Sequence, residues 1–267
     1  MNKLMDLAAA MAQIPDGAMV GLGGNTLNRA PMAAVMALAY QGKQGLRLVK
    51  TAGGMDVDLL CFAGCVSSVD AGFISYETQY SLCQHYRSAV QAGKVQANEH
   101  ACYTVISALR AASYGIPFMP VRGLMESDLV AANEYFAQVK DPFSGDTLNA
   151  VRAIQPDVSI VHVHMADARG NALIEGPQYD DILLSRASKT VILTAERIVG
   201  DGYFVASSRK ADIPHFMVSA VVHAPRGAAP GACYGVHGVS DGELQSFLAL
   251  ADAEALTQWL TRRHVHA

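Results

Sequence analysis

Short apolar runs alternate with stretches of helical spacing along most of the chain. Met1 to Gln13 is Ala-rich with apolar residues at helical intervals and predicts an opening helix that stops at Pro15. Met19 to Leu22, leaving a turn at Pro15-Asp16-Gly17, predicts a buried strand. Pro31 to Tyr40 predicts a helix with proline in its first turn, where a missing N–H costs nothing. Gly45 to Lys50 is a second strand, and Ala52-Gly53-Gly54 repeats the sequence of strand, paired glycines and helix. Asp56 to Phe62 (helix), Ser67 to Ile74 (strand), Ser81 to Gln91 (helix), Lys94 to Ala97 (strand) and Ala101 to Tyr114 (helix) continue the alternation.

The second half is less even. Val121 to Ser144 carries no regular pattern, and Leu148 to Ile154 follows it. Asp157 to His164 is the most strand-like run in the chain and leads to a turn at Asp167-Ala168-Arg169-Gly170-Asn171. A helix over Leu183 to Ser188, a strand over Thr190 to Thr194, a loop from Gly200 to Ser208 and a strand near Met217 to Val222 are expected next. Pro225 to Gly235 reads as loop, and Gly242 to Leu260 as a closing amphipathic helix holding Trp259.

Strand alternating with helix predicts an α/β fold, with a mainly parallel sheet covered by helices on both faces. No linker or low-complexity tract divides the chain, so residues 1–267 are expected to form a single domain. In such sheets ligands gather beyond the carboxyl ends of the strands. Gly23-Gly24, Ala52-Gly53-Gly54, Ser75-Tyr76-Glu77 and Asn98-Glu99-His100 all fall there.

Composition narrows the function classes. With 267 residues, 51% hydrophobic, the chain can bury a large core. A formal charge of −4, with no basic run outside Arg262-Arg263, argues against a nucleic-acid surface. No apolar stretch approaches the ~20 residues of a membrane span. The early Asp6 and the missing cleavage pattern argue against a secretory signal, so a cytoplasmic protein with five reduced cysteines is expected. Cys61 and Cys65 lie one helical turn apart, but no further pair completes a metal site. His162 and His164 face one side of a strand; with no third ligand at a recognisable spacing, packing and a hydrogen bond to the Asp167 turn are expected, and no metal.

The junction Gly21-Leu22-Gly23-Gly24-Asn25 is the first candidate for chemistry. Paired glycines between a strand and a helix let a ligand approach main-chain N–H groups, which suit an anion or a developing oxyanion. A dinucleotide fingerprint fails because position 26 is Thr26, and no Gly-Lys-Ser/Thr occurs for a phosphate loop.

Residues 16–31 resemble the signature of family I coenzyme A transferases: Asp/Asn-Gly, two variable residues, three apolar residues, Gly-Gly-Phe, three variable residues, Gly, any residue, Pro. Asp16-Gly17, Gly23-Gly24 and Pro31 match, while Gly21 takes an apolar slot, Asn25 replaces the Phe and Arg29 replaces the later Gly. These departures point to the glutaconate-transferase alpha-subunit branch. Gly115-Ile116-Pro117-Phe118-Met119-Pro120, Ser127-Asp128, Asp141-Pro142-Phe143, Pro156-Asp157-Val158, His164 with Ala166-Asp167, Gly170-Asn171, Gly176-Pro177, and Thr194 with Glu196 are similar to that branch and follow its order.

The resemblance implies the NagB/RpiA/CoA-transferase-like fold and an alpha subunit working beside a homologous CoA-transferase beta subunit in a hetero-oligomer, A2B2 or larger. Coenzyme A and a small carboxylic acid would be substrates, with no permanent cofactor. In the family a glutamate attacks the acyl-CoA thioester, and in two-subunit members that nucleophile belongs to the beta chain. Here Gly23, Gly24, Asn25, Arg29, Gly53, Gly54, Ser75 and Arg122 are the candidate substrate-binding residues, the two arginines as guanidinium partners for a carboxylate or phosphate. Glu77 and Glu99 are the candidate catalytic residues; the bland accounts are a rim or interface carboxylate for Glu77 and a helix-start acid for Glu99. Glu99 resembles an alpha-chain glutamate of ring-cleaving hydrolases of this superfamily, so the alpha chain of a CoA-thioester hydrolase is the alternative. A non-catalytic effector-binding domain is a third, but no segment before residue 16 is long enough for a DNA-binding module.

Overall fold

The computed structural model describes residues 2–200, 202–206 and 210–264, so part of the expected 200–208 loop lies outside the described residues. In chain order the elements are α1 (Leu7–Ala12), β1 (Met19–Leu22), α2 (Met32–Tyr40), β2 (Leu46–Gly53), α3 (Met55–Phe62), β3 (Val66–Ile74), α4 (Glu77–Tyr80), α5 (Gln84–Gln91), β4 (Gln96–Glu99) and α6 (Cys102–Ser113). They continue with β5 (Phe118–Val121), α7 (Leu129–Ala132), β6 (Phe136–Lys140), β7 (Thr147–Arg152), β8 (Val158–Asp167), β9 (Ala172–Leu173), α8 (Asp181–Ala187) and β10 (Thr190–Val199). Last come α9 (Tyr203–Ala206), a 3-10 turn at His215–Met217, β11 (Val218–His223), α10 (Asp241–Leu248) and α11 (Ala253–His264).

The main sheet runs β11-β10-β8-β1-β2-β3-β4 with every neighbour parallel, and β9 pairs antiparallel with β8. Alternation decides which side chain faces which layer. Val20, Leu22, Leu46 and Leu48 enter the core beneath α2, α3, α10 and α11. Met19 and Val49, next to them in sequence, enter the opposite core against α6 and α8. β8 sits centrally and is buried at all ten positions, so it reads as a continuous run instead of an alternating one.

Four expectations are corrected. The opening helix covers only Leu7–Ala12, because Asp6 caps it by accepting the Ala9 N–H (2.7 Å), while Lys3 and Met5 bond the backbone of Ala168 and Val221. Ser81 to Gln91 is broken: α4 precedes it and α5 starts at Gln84. The segment without pattern, 121–144, joins a three-stranded antiparallel sheet ordered β5-β7-β6. The closing helix is two helices, since Asp252 starts α11 by accepting the Ala255 N–H at 2.9 Å. Among the described residues no helix is long and apolar enough to cross a membrane.

Candidate functional site

Because β8, β1, β2, β3 and β4 are adjacent and parallel, their carboxyl ends form one rim. The loop after β1 is built around buried charges. Arg29, 2% exposed, donates to the His162 carbonyl (2.8 Å), the Pro177 carbonyl (3.0 Å) and the Asp181 carboxylate. Asp181, fully buried at the start of α8, also accepts the Gly24 N–H at 2.7 Å. Lys50, at 2% exposure, pairs with Asp56 (3.0 Å) and donates to the Gly23 and Gly24 carbonyls, the latter at 3.1 Å. Two buried cation–carboxylate pairs thus clamp one glycine loop from both sides.

Gly23 and Gly24, expected as substrate-binding residues, are placed inside this clamp. Both are buried, and their N–H groups are occupied internally: Gly23 bonds the Ile160 carbonyl (2.9 Å) and Gly24 bonds Asp181. The glycines are required by close packing. A Cβ on Gly23 would lie 2.3 Å from Asp181 Oδ1, and one on Gly24, at φ +75°, would lie 2.4 Å from the Arg29 carbonyl carbon. Arg29, expected as a guanidinium partner for substrate, is buried here and holds the loop from inside.

Other predicted residues do meet at the rim. Thr26 donates its hydroxyl to Glu77 Oε1 at 2.9 Å, although β2 stands between their strands. The contact passes over Gly54, where a Cβ would sit 3.4 Å from both Thr26 and the Ser75 carbonyl oxygen. Glu77 is exposed, with φ +63°, and Thr26 has φ +46°, so two left-handed non-glycine residues face each other across the rim. Gly53 underlies them, its N-terminal neighbour Ala52 accepting the Thr26 N–H at 2.9 Å. Ser75 holds its own turn, donating to the Ser81 carbonyl (3.1 Å) and accepting the Glu77 N–H (3.1 Å).

Asn25 opens onto a cleft of about 320 Å³ shared with Thr51, Arg110, Tyr179 and Asp180. Burial pushes the Asp180 carboxyl above its ordinary range, against the opposing hydrogen bond donated by Thr51 and with the Asp181 charge adding to the rise. A carboxyl with a raised pKa in a cleft is a candidate proton donor. Sequence reasoning missed it; the available signal was the pair Asp180-Asp181 after Gly176-Pro177, which looks like ordinary acidic residues at a helix start.

Glu99 and Arg122 are not brought to this cleft. Glu99 is exposed and lines a second cleft of about 260 Å³ with Ile74, Leu82, Tyr86 and Arg87, against α5. Its carbonyl accepts Asn133 Nδ2 at 2.7 Å, which seats the loop before β6 over the end of β4. Arg122 follows β5 with its side chain 75% exposed, 4.0 Å from Asp146. His100 is buried, 3.4 Å from Asp70.

A third group lies on the middle of β8 and the second half of β10. His162, Glu196 and Cys233 bring one nitrogen, one carboxylate oxygen and one sulfur within 4.8 Å of one another, and His237 reaches the same carboxylate. Glu196 reaches His162 from a neighbouring strand and Cys233 from a distant loop, whereas His164 is not part of the group. His164 bonds the Tyr234 carbonyl (2.8 Å) and the Glu175 N–H (3.0 Å), not the Asp167 turn, which closes on its own backbone.

Residues 4–224 match the model of the coenzyme A transferase family. The chain belongs to that family. The A-type subunit of glutaconate CoA-transferase of Acidaminococcus fermentans is 30% identical over 97% of the chain and 85% of the relative. The solved glutaconate coenzyme A-transferase from that organism superposes with a TM-score of 0.87 and 29% identity, covering 98% of this chain and 87% of that one. A solved variant of the decarboxylase AibA/AibB gives a TM-score of 0.88 at 35% identity, covering 98% of this chain and all of that one. A protein of Archaeoglobus fulgidus with no assigned activity is 32% identical over 95% of the chain, which spans 57% of that relative's length. The expected α/β architecture with a mainly parallel sheet is that of the solved transferase.

Proposed function

We propose that this chain is the alpha subunit of a cytoplasmic, heteromeric coenzyme A transferase that moves CoA between an acyl-CoA and a carboxylic acid. The nucleophilic glutamate resides on a homologous beta chain, in an A2B2 or larger assembly. Similarity to the A-type subunit of a glutaconate CoA-transferase over 97% of the chain supports the reaction class. The observation that carries the division of labour is the state of the rim: Glu77 and Glu99 are both exposed, and the Gly23 and Gly24 N–H groups are occupied. A carboxylate nucleophile needs a dry site with oxyanion donors, so a second surface must complete the cleft.

In the transfer, a glutamate oxygen bonds the thioester carbonyl carbon, the C–S bond breaks and CoA leaves as thiolate. The thiolate then attacks the glutamyl side of the anhydride, releasing the first acid as carboxylate. The second acid takes the acyl position by the reverse sequence, and no net proton is consumed. This chain's cleft beside Asn25, Thr51 and Asp180 would bind the acyl part, with the Thr26–Glu77 contact holding its edge.

The test is to co-purify the chain with its beta partner and follow labelled CoA between two acids, with each chain assayed alone. Exchange by the pair, none by this chain, and hydroxylamine-sensitive labelling of the partner are expected. Modification of Glu77 in this chain would overturn the assignment. A hydrolase is the second reading, favoured by the Glu99 cleft, where a carboxylate beside apolar walls and Arg87 could activate water. Free CoA accumulating without an acceptor acid, and lost in Glu99→Gln, would select it.

A further inference from the structure

We propose that His162, Glu196, Cys233 and His237 form a structural site for a divalent metal of the zinc class, tying the loop between β11 and α10 to the middle of β8 and the second half of β10. His162 Nε2 lies 2.9 Å from Glu196 Oε1, and His237 Nε2 lies 3.5 Å from the same oxygen. Cys233 Sγ completes the group, its ligand atom and those of His162 and Glu196 all falling within 4.8 Å of one another. Tetrahedral zinc with bonds of 2.0–2.3 Å requires separations of about 3.3–3.6 Å, so adjustments on the order of 1 Å bring His162, Glu196 and Cys233 to that spacing, and His237, which reaches only Glu196, has to swing further toward the other two.

His237 is the observation that points to a ligand. Its side chain is 5% exposed, and its Nδ1 lies 3.2 Å from the Gly238 carbonyl, which can only accept. With Nδ1 engaged as donor, Nε2 is left facing a carboxylate oxygen, Glu196 Oε1, 3.5 Å away. Nε2 is buried with no hydrogen-bond partner among the described residues. A cation between nitrogen and oxygen turns this opposition into two bonds.

The surrounding groups fit the same arrangement. His162 Nδ1 lies 2.9 Å from Thr194 Oγ1, which accepts the ring proton once Nε2 is engaged. Glu196 Oε2 accepts the Arg226 N–H at 2.6 Å, fixing the carboxylate and leaving Oε1 turned inward. His164, 3.5 Å from Cys233 Sγ, is excluded because both of its nitrogens are bonded elsewhere. Two neutral imidazoles, a thiolate and a carboxylate around a dication sum to zero charge, which suits a buried site. The thiol proton leaves to solvent on binding. Four protein donors of mixed N, O and S type favour zinc over magnesium or calcium and leave no open position, so the role is structural.

Chelator-stripped protein, with its partner where they co-purify, is titrated with Co²⁺ and then Zn²⁺. A thiolate-to-cobalt charge-transfer band saturating at one equivalent per chain and displaced by zinc is expected. Cys233→Ser should abolish the band, His237→Ala should weaken zinc binding beyond the ~10–100-fold typical of losing an outer-shell partner, and Thr194→Val should fall within that range. The wild-type titration does not depend on the variants folding. No band, or binding unchanged by His237→Ala, would overturn the site and leave His237 as a protonated partner of Glu196.

Discussion

Replacing Asp181 by Asn tests whether the glycine loop is held by buried charge. The change keeps the side chain's shape and an acceptor for the Gly24 N–H, but leaves the Arg29 guanidinium buried at 2% exposure against two carbonyls only. Removing one member of a buried pair costs about 3–5 kcal/mol, because the survivor's desolvation is no longer compensated. For a chain of this size each kcal/mol lowers the melting midpoint by about 2–4 °C, so a drop of roughly 6–20 °C is expected. Arg29→Met should cost a similar amount by stranding the Asp181 carboxylate. The double variant strands neither charge, so its loss should fall short of the sum by as much as about 3 kcal/mol. Urea unfolding of the four proteins measures this directly. Losses that add within about 0.5 kcal/mol, or an Asp181→Asn cost below about 1 kcal/mol, would refute the clamp.

Gly23→Ala introduces a Cβ 2.3 Å from Asp181 Oδ1 and should lower the urea midpoint by the equivalent of about 1–3 kcal/mol; an unchanged midpoint would mean the loop can yield. Thr26→Val removes the hydroxyl donated to exposed Glu77, so it should leave the melting midpoint nearly unchanged. If Glu77 borders the acyl cleft, kcat/KM of the two-chain enzyme should fall roughly 10–150-fold, the loss of one hydrogen bond to a charged group. Asp180 supplies a pH test. Its folded-state pKa is raised, so the unfolded chain releases this proton first, and the residue subtracts stability as pH climbs from 3.8 through the folded value. Asp180→Asn removes that loss, so its melting midpoint relative to wild type should be higher at pH 8 than at pH 4; a pH-independent difference would contradict the assignment.

Legibility followed burial. β1, β2 and β8 are buried at nearly every position, so their apolar runs stand out. The antiparallel sheet does not: β6 is buried at Phe136 and exposed at Ala137, Gln138 and Lys140, and β5 carries Pro120. Neither the strict alternation of a half-buried strand nor the unbroken run of a central one is present there. Helix breaks set by a single side chain, such as Asp252, were also beyond periodicity, because the apolar spacing continues across them. The rim itself was legible, since the four strand ends chosen from their small and polar residues are adjacent. What each residue does there was not. Asp181 lies 157 residues from the Gly24 N–H that it accepts, and Glu196 lies 34 from His162. Such pairings are set by strand order, which sequence alone left open.

The occupied amides also constrain the chemistry. An oxyanion forming at a thioester carbonyl needs donors whose hydrogen bonds are not already made, because breaking one to the buried Asp181 carboxylate would cost about as much as the new bond returns. Gly23 and Gly24 therefore cannot stabilise it without dismantling the clamp. Within this chain the remaining donors lining the cleft are side chains: the Asn25 amide, the Arg110 guanidinium and the Tyr179 hydroxyl. Side-chain donors can serve an oxyanion as well as orient an acyl group, but here they stand on an open rim where water competes for them. If the chain acts as the proposed alpha subunit, the further stabilisation comes from the surface that closes over this rim. Asn25→Ala in the two-chain enzyme should therefore raise KM more than it lowers kcat; a larger fall in kcat would place an oxyanion donor in this chain.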